Sequence, residues 1–152
     1  MHSTIKNVCV AGASGNLGLP ITNALVSSGL FNVSALSRAS TSSSSNLPAS
    51  VNIIRADYDD HQALVAALRG QDAVVCAIDH VGNQSQEKLI DAAAEAGVKR
   101  FVPSHWAFDH LAEGFKDVAP VWVLKEGPIQ RLREKGLPWT AIVTGSWVDF
   151  VS

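Results

Sequence analysis

The sequence predicts an α/β protein built on a doubly wound parallel sheet of six or so strands. Three observations lead to this fold class. Short apolar runs alternate with helical patterns along the chain, a glycine-rich turn joins the first run to the first helix, and the run at residues 73–78 is apolar throughout. Strands alternating with helices indicate βαβ crossovers. A parallel strand covered on both faces is expected to be apolar at consecutive positions.

The glycine-rich turn follows the strand candidate Val8–Ala11 and has the spacing Gly-x-x-Gly-x-x-Gly. Between a strand and a helix this pattern is typical of a Rossmann fold that binds a dinucleotide. The first glycine permits the tight turn, the second lets a pyrophosphate approach the backbone, and the third lets helix and strand pack closely. The alternative is an ordinary strand–helix turn. The residues expected to contact the cofactor here are Gly12, Ser14, Gly15, Asn16, Leu17 and Gly18.

The remaining elements follow from the same alternation. Further strands are predicted at Asn32–Ser37, Val51–Arg55, Ala73–Ile78, Lys99–Pro103 and Trp139–Val143. Helices are predicted to end at Gly29, Gly70 and Gly97, and another is predicted around Val123–Arg133. The serine-dominated segment Ala39–Ser50 cannot bury an apolar face, so we expect a mobile loop there.

Length and composition fit one domain over residues 1–152, with a net charge of −2 that argues against nucleic-acid binding. No apolar run reaches membrane-spanning length, and the N-terminus lacks a signal-peptide pattern. We therefore expect a cytoplasmic protein with no membrane partner. The two cysteines, Cys9 and Cys76, fall in apolar runs and are expected to be reduced core residues.

The end of the second strand predicts which nucleotide binds. The run from Leu36 to Ser40 has no acidic residue for a ribose 2′-hydroxyl, but Arg38 offers a planar fork suited to the 2′-phosphate of NADP. The alternative is a solvated arginine on a loop. Asp57 and Tyr58, after the third strand, are expected near the edge and face of the adenine. Ala77, at the end of the fourth, would border the ribose. NADP(H) is the predicted cofactor.

Several passages resemble the NmrA-like and isoflavone-reductase-like group of atypical short-chain dehydrogenase/reductases. These are GASGNLG, SRAS at Arg38, ADYDDHQALVAAL, QEKLIDAAAEAGVKRFVPS and KEGPIQRLREKGLPWT, in that order along the chain. The resemblance implies a Rossmann fold, a preference for NADPH and reduction of small, often aromatic or secondary-metabolite, substrates. It also implies that residues 1–152 are the NAD(P)-binding part, with the family's C-terminal substrate-binding part missing or truncated.

The resemblance further implies that Lys125 is the acid–base group and contacts the nicotinamide ribose. The tyrosine–lysine pair of better-studied short-chain reductases is not available, because Val121 stands four residues before Lys125 and the one tyrosine is Tyr58. A lysine can exchange protons near neutral pH when burial and a nearby cation lower its pKa. The alternative is a surface lysine on an amphipathic helix.

Ser104 and His105 close the fifth strand, where open α/β sheets present ligand-binding residues. Ser104 is expected to contact the cofactor. His105 stands where relatives carry an acidic residue, and it is either a catalytic proton relay or a loop histidine with no role. The spacing of His105, Asp109 and His110 matches no established ligand pattern, so no metal is expected.

The predicted function is an NADPH-dependent reductase of a small-molecule substrate, with Lys125 as the acid–base group. Two alternatives stay open: a non-catalytic NADP(H)-sensing regulatory module, and a diverged non-redox enzyme such as an isomerase or cyclase. We also expect a homo-oligomer, because large exposed apolar patches usually mark interfaces. The residues expected to form the patch are Trp139, Ile142, Val143, Trp147, Val148 and Phe150.

Overall fold

The computed structural model describes residues 4–40, 46–78, 83–109, 112–114, 117 and 126–145. Within these ranges, five strands form one parallel sheet: β1 (Asn7–Ala11), β2 (Asn32–Arg38), β3 (Asn52–Ala56), β4 (Ala73–Cys76) and β5 (Arg100–Val102). The helices are α1 (Gly18–Ser27), α2 (His61–Leu68), α3 (Asn83–Glu95) and α4 (Glu126–Glu134). The predicted α/β class with a parallel sheet is confirmed.

The strand order is β3-β2-β1-β4-β5, so the direction of winding reverses at β1. On one side of β1, Ala11 lies opposite Leu36 of β2, and on the other side it lies opposite Cys76 of β4. The connections that leave the carboxyl ends of β1 and β4 therefore separate on either side of a crevice. In open α/β sheets this reversal point is where ligands bind.

Alternate residues of β1 serve two different cores, as the two-residue period of a strand requires. Cys9 and Ala11 pack in a cluster with the buried leucines of α2 and α3 and with Ile129 of α4. Val8 and Val10 pack in the other cluster, whose helical residues come from α1. Three helices thus cover one face of the sheet, and α1 covers the other.

The predicted sixth strand at Trp139–Val143 is not a strand in the structure. Trp139 forms one isolated parallel bridge with Phe101 of β5, and residues 141–145 have no regular structure. The bridge is closed by two hydrogen bonds, from the Phe101 N–H to the Pro138 carbonyl and from the Thr140 N–H to the Phe101 carbonyl. Pairing ends there, although the segment is apolar enough to continue.

The two cysteines are free and buried, as predicted. Burial raises the pKa of each thiol to about 12. Cys9 and Cys76 therefore stay protonated near neutral pH, and a thiolate is the form that acts as nucleophile. They contribute packing to the core.

Arg131 of α4 forms a bidentate ion pair with Asp91 of α3, with nitrogen–oxygen distances of 2.7 and 2.6 Å. The paired guanidinium holds the pKa of the Asp91 carboxyl below its usual range. Bidentate arginine–carboxylate pairs have fixed geometry as well as charge. The pair therefore sets how α4 lies across α3.

Asp72 ties together the amino ends of three strands. Its Oδ2 accepts hydrogen bonds from the backbone N–H groups of Lys6 (2.9 Å) and Asn7 (2.8 Å), at the start of β1. Lys99, just before β5, places its Nζ 2.6 Å from Oδ1. The Asn7 and Lys99 hydrogen bonds lower the pKa of the Asp72 carboxyl to about 2. We call this group the amino-edge clamp.

We predict that Asp72→Asn lowers the free energy of unfolding near neutral pH by about 1–3 kcal/mol, because it removes the negative charge that strengthens the hydrogen bonds of this buried group and pairs with Lys99. The folded pKa of Asp72 is depressed, so its contribution is present above the unfolded pKa and is lost as pH falls through the folded value. Urea unfolding measured from neutral pH down to about pH 3 should show the difference from wild type shrinking.

The control for this experiment is Asp59→Asn, because Asp59 pairs with Lys88 on the surface and its side chain is 82% exposed. Exposed ion pairs contribute little to stability. A difference between wild type and Asp72→Asn that stays constant with pH would contradict the assigned role of the carboxylate.

Candidate functional site

The turn between β1 and α1 has the conformation that its glycines permit. Gly12 has a φ of +81°, in the left-handed region that residues with a Cβ rarely adopt. The Gly15 N–H donates to the Gly12 carbonyl oxygen at 3.1 Å, which closes the turn. The chain can therefore reverse direction directly after the last residue of β1.

Two of the three glycines are required by the protein itself. A Cβ on Gly12 would lie 2.7 Å from the carbonyl oxygen of Ala77, at the end of β4. A Cβ on Gly18 would overlap the carbonyl oxygen of Gly12. Both contacts are with backbone, which cannot move aside as a flexible side chain can.

Gly15 differs from the other two. It is exposed, its φ is not positive, and a Cβ there would meet only the Gly12 carbonyl oxygen, at 3.3 Å. The fold therefore tolerates a small side chain at Gly15 at the cost of a slight adjustment. A side chain at Gly15 would extend into the open space beside the turn. This is the space through which a ligand can approach the backbone.

The N-terminus of α1 faces this space without a side-chain cap. Leu17 is the N-cap residue and its side chain makes no capping hydrogen bond, whereas Asp60 at the N-cap of α2 accepts from the Ala63 N–H at 3.0 Å. Pro20, in the first turn of α1, has no N–H to satisfy. The positive end of the helix dipole is thus available to an anion.

Arg38 is the last residue of β2, on the same carboxyl edge of the sheet as the turn. Arg38 pairs with Ala56 of β3 through its backbone. Its side chain is exposed, and the guanidinium makes no hydrogen bond or ion pair with another residue in the described ranges. A guanidinium placed beside an anion-accepting turn adds a second positive site to the crevice. The structure brings the predicted Arg38 and the glycine turn to one edge.

Tyr58, the residue expected to lie against the adenine, is buried shortly after β3. Only 9% of the residue is exposed, and the ring packs in the same cluster as Cys9 and Cys76. Burial raises the pKa of its hydroxyl, an effect that the nearby charge of Arg38 opposes. The ring packs in the core, and its contact with an adenine stays a prediction.

Asp57 is exposed where the chain leaves β3. Its Oδ1 accepts a hydrogen bond from the Asp59 N–H at 2.9 Å, and its carbonyl accepts from the Asp60 N–H at 3.2 Å. These bonds form a tight turn that leads into α2. The position beside the crevice agrees with the prediction, and the contact with an adenine edge stays a prediction.

The Ala77–Ile78 peptide forms the wall of the crevice opposite the turn. The Ala77 N–H donates to the Ala11 carbonyl at 2.8 Å, and the Ser104 Oγ donates to the Ile78 carbonyl at 2.7 Å. Ser104 is therefore held against β4 by its own hydroxyl. The structure places Ala77 and Ser104 on the same edge as the glycine turn, and their contacts with the cofactor stay predictions.

Two further residues of this wall were missed by the sequence analysis. Gln86, in the first turn of α3, accepts from the Ser104 N–H at 2.7 Å, and the Trp106 Nε1 donates to the Cys76 carbonyl at 2.8 Å. Gln86 shares a helical face with the buried Leu89 and Ile90, three and four residues later. A glutamine at a core position of an amphipathic helix was the signal that could have found it.

His105 is 2% exposed and lies in a segment without regular structure after β5, so both interpretations of it stay open. Its N–H donates to the Pro103 carbonyl at 2.8 Å, and its own carbonyl accepts from the Ala107 N–H at 2.7 Å. The proton-relay role stays a prediction. Lys125, His110, Trp147, Val148 and Phe150 lie outside the described residues. Within the part of the chain that the structure describes, no helix is long and apolar enough to cross a membrane.

The strand order, the reversal at β1 and the glycine turn at that point define a protein of the Rossmann type. The chain belongs to the NmrA-like family, whose profile matches residues 4–151. The resemblance inferred from the sequence motifs is therefore confirmed.

Similar proteins include the oxidoreductase aprR of Aspergillus flavus, which is 40% identical over 151 residues, covering 96% of this chain and 50% of the relative. A crystal structure of isoflavone reductase superposes with a TM-score of 0.80 at 26% identity, covering 97% of this chain and 52% of that one. The complex of AtPrR2 with NADP+ and (+)pinoresinol gives 0.79 at 26% identity, covering 93% and 50%. The chain spans about half the length of the relatives it matches.

We predict that Gly18→Ala lowers the free energy of unfolding by about 3 kcal/mol or more, because the methyl group overlaps a backbone oxygen and overpacking costs roughly 1–3 kcal/mol even where neighbours can shift. Gly15→Ala, the matched control three residues away, should change it by less than about 1 kcal/mol. Chemical denaturation of both variants measures the difference. Equal losses would show that the turn yields more easily than its contacts indicate.

Proposed function

We propose that this chain supplies the NADP(H)-binding part of a reductase that acts on a small molecule. One observation carries the proposal: the glycine turn with the uncapped N-terminus of α1 lies on the same carboxyl edge of the sheet as Arg38, whose side chain has no partner among the described residues. NADP differs from NAD by a 2′-phosphate, so a second positive site beside the pyrophosphate position suits NADP. The neighbour AtPrR2 in complex with NADP+ supports this choice.

Different residues of the carboxyl edge fit different parts of NADP(H). The backbone of Gly12–Gly18 and the N-terminus of α1 would hold the pyrophosphate, because the space beside Gly15 is open and the helix end is uncapped. Arg38 would hold the 2′-phosphate. Asp57 would border the adenine, and Ala77 with Ser104 would form the wall beside the other half of the cofactor.

The bound cofactor supplies a hydride. We propose that Lys125 provides the proton that the substrate oxygen needs once it carries negative charge, and that His105 relays protons to this site. His105 is buried at the end of β5, on the carboxyl edge where the wall residues lie. Histidine is the side chain most often used for proton transfer in enzymes.

The proposed substrate class is small aromatic or secondary-metabolite compounds. The relative in Aspergillus flavus is named an oxidoreductase, and the structure of AtPrR2 was solved with NADP+ and (+)pinoresinol. The chain spans about half the length of these relatives. The reductase activity is therefore proposed for a whole enzyme in which this chain is the cofactor-binding part. Candidate carbonyl and enone substrates, with NADPH oxidation as the readout, test the reaction class.

We predict that Arg38→Ala weakens NADPH binding by about 1.5–3 kcal/mol, the range for hydrogen bonds to charged groups. NADH affinity should be nearly unchanged, since NADH has no 2′-phosphate. Calorimetric titration of each nucleotide against wild type and variant measures both values.

The matched control is Arg69→Ala, because Arg69 is an exposed arginine at the end of α2, on the amino side of β4. It should leave both affinities unchanged. If wild type binds NADPH and NADH equally well, the assignment of Arg38 to the 2′-phosphate is wrong.

We predict that Lys125→Ala lowers turnover by about two orders of magnitude or more, the usual loss when a general acid–base group is removed. NADPH affinity should fall much less, since the turn and Arg38 hold the phosphates independently. Steady-state rates and titrations on the same preparations separate the two effects.

Lys135→Ala is the control for the Lys125 experiment. Lys135 follows α4 and contacts Asp91, away from the carboxyl edge. Rapid NADPH oxidation by Lys125→Ala would eliminate the proposed acid–base role. Tight NADPH binding without turnover on any substrate would favour the regulatory module.

We also propose that a second copy of the chain covers an apolar surface formed by Phe108, Ile142 and Val143. These side chains are 40%, 41% and 50% exposed, respectively. Hydrogen bonds from the N–H groups of Thr144 and Gly145 to the Ala107 carbonyl bring the two segments together. Analytical ultracentrifugation at micromolar concentration should show a dimer or larger species, and a clean monomer would refute the proposal.

A further inference from the structure

Gln86 is a polar side chain at a core position. It is 5% exposed, and its neighbours on the same face of α3, Leu89 and Ile90, are fully buried. Burying an amide without hydrogen bonds costs roughly 1–3 kcal/mol in proteins, whereas an apolar side chain would pack here at no such cost. Stability of the core alone therefore does not account for a glutamine at this position.

The Gln86 amide belongs to a group of hydrogen bonds that joins three elements. Its Oε1 accepts from the Ser104 N–H at 2.7 Å, beyond the end of β5. The Ser104 Oγ donates to the Ile78 carbonyl at 2.7 Å, and the Trp106 Nε1 donates to the Cys76 carbonyl at 2.8 Å, both at the end of β4. We call these five residues the carboxyl-edge brace.

The brace ends on the peptide that faces the glycine turn. The Ala77–Ile78 peptide lies so close to Gly12 that a Cβ there would be 2.7 Å from the Ala77 oxygen and 3.2 Å from the Ile78 nitrogen. The two residues that form this peptide are each held by a hydrogen bond, from the Ala77 N–H to the Ala11 carbonyl and from the Ser104 Oγ to the Ile78 carbonyl. Movement of Ser104 would therefore shift the wall of the crevice opposite α1.

The position of the brace along the sheet decides which half of a dinucleotide it affects. Arg38 ends β2 and Asp57 follows β3, both on one side of β1. Cys76 ends β4 and Ser104 lies beyond β5, both on the other side. A ligand with its 2′-phosphate at Arg38 and its pyrophosphate at the turn must extend its remaining half toward β4 and β5. This half carries the nicotinamide.

We propose that Gln86 is a positioning residue that fixes the wall for the nicotinamide half of the cofactor, acting through Ser104 and the Ala77–Ile78 peptide. This inference rests on the proposed function. It predicts that loss of the Gln86 acceptor weakens ligands that reach past the pyrophosphate and leaves ligands confined to the adenosine half unaffected.

The test uses Gln86→Met and Gln86→Glu, with NADPH and adenosine 2′,5′-bisphosphate as probes. Methionine keeps the length and burial of the side chain but removes the acceptor for Ser104. Glutamate keeps an acceptor oxygen, and its charge is favourable at a helix N-terminus. We expect Gln86→Met to raise the Kd of NADPH about tenfold and that of the bisphosphate less than twofold. Gln86→Glu should restore NADPH affinity to within about twofold of wild type.

Gln84→Met, at an exposed position of the same helix, is the matched control and should bind both probes as wild type does. Trp106→Phe removes the Nε1 donor to the Cys76 carbonyl. It should weaken NADPH binding and leave bisphosphate binding unchanged, as Gln86→Met does. Because the bisphosphate reports on the adenosine half, its retained binding shows that each variant is folded.

Several outcomes would overturn the inference. Unchanged NADPH affinity in Gln86→Met overturns it and leaves the proposed function intact. Equal weakening of both probes shows a purely structural role, and a Gln86→Glu variant as weak as Gln86→Met excludes the acceptor role. A wild-type protein that binds neither probe overturns the proposed function and this inference together.

Discussion

The close approach of two backbones at Gly12 is the constraint on which the carboxyl edge of the sheet depends. The Ala77 carbonyl at the end of β4 occupies the space that a side chain on Gly12 would need, and Gly12's own carbonyl does the same for Gly18. The turn can therefore sit between β1 and β4 only if both positions have no side chain. Because the turn is held this tightly, the N-terminus of α1 points into the crevice at a defined angle. The placement of Arg38 relative to that helix end then follows from the register of β2 against β1.

Most of the fold could be predicted from the sequence, because the signals for it are local. The apolar run through Cys76 and the alternation of strand and helix patterns identify the sheet without any knowledge of packing. The segment that begins at Trp139 has similar composition, but it forms only one bridge, between Trp139 and Phe101. A strand needs a partner edge as well as a pattern, and the length of a pairing is set by tertiary contacts that a single segment does not encode.

The sequence predicts those parts of the candidate site that depend on residue type at a strand end. It does not predict the parts that depend on which side chains are buried. The sequence predicted that the glycines and Arg38 lie on one edge of the sheet, because residue type at a strand end carries that information. It did not predict the burial of Tyr58, since that burial depends on the neighbours Cys9 and Cys76. Gln86 was overlooked for the related reason that its role depends on Ser104, eighteen residues away along the chain. Lys125 rests on the family resemblance and stays a prediction.

The amino-edge clamp has a consequence for how such a domain can diversify. Asp72 joins the starts of β1, β4 and β5 at the edge of the sheet opposite the crevice, so these three strands are held together by contacts that the exposed loop positions of the carboxyl edge do not make. Sequence change in those loops can then alter what is recognised while the framework stays intact. A library randomised at the exposed loop positions of the carboxyl edge should therefore yield mostly folded members, which makes the domain a suitable scaffold for grafting new recognition loops.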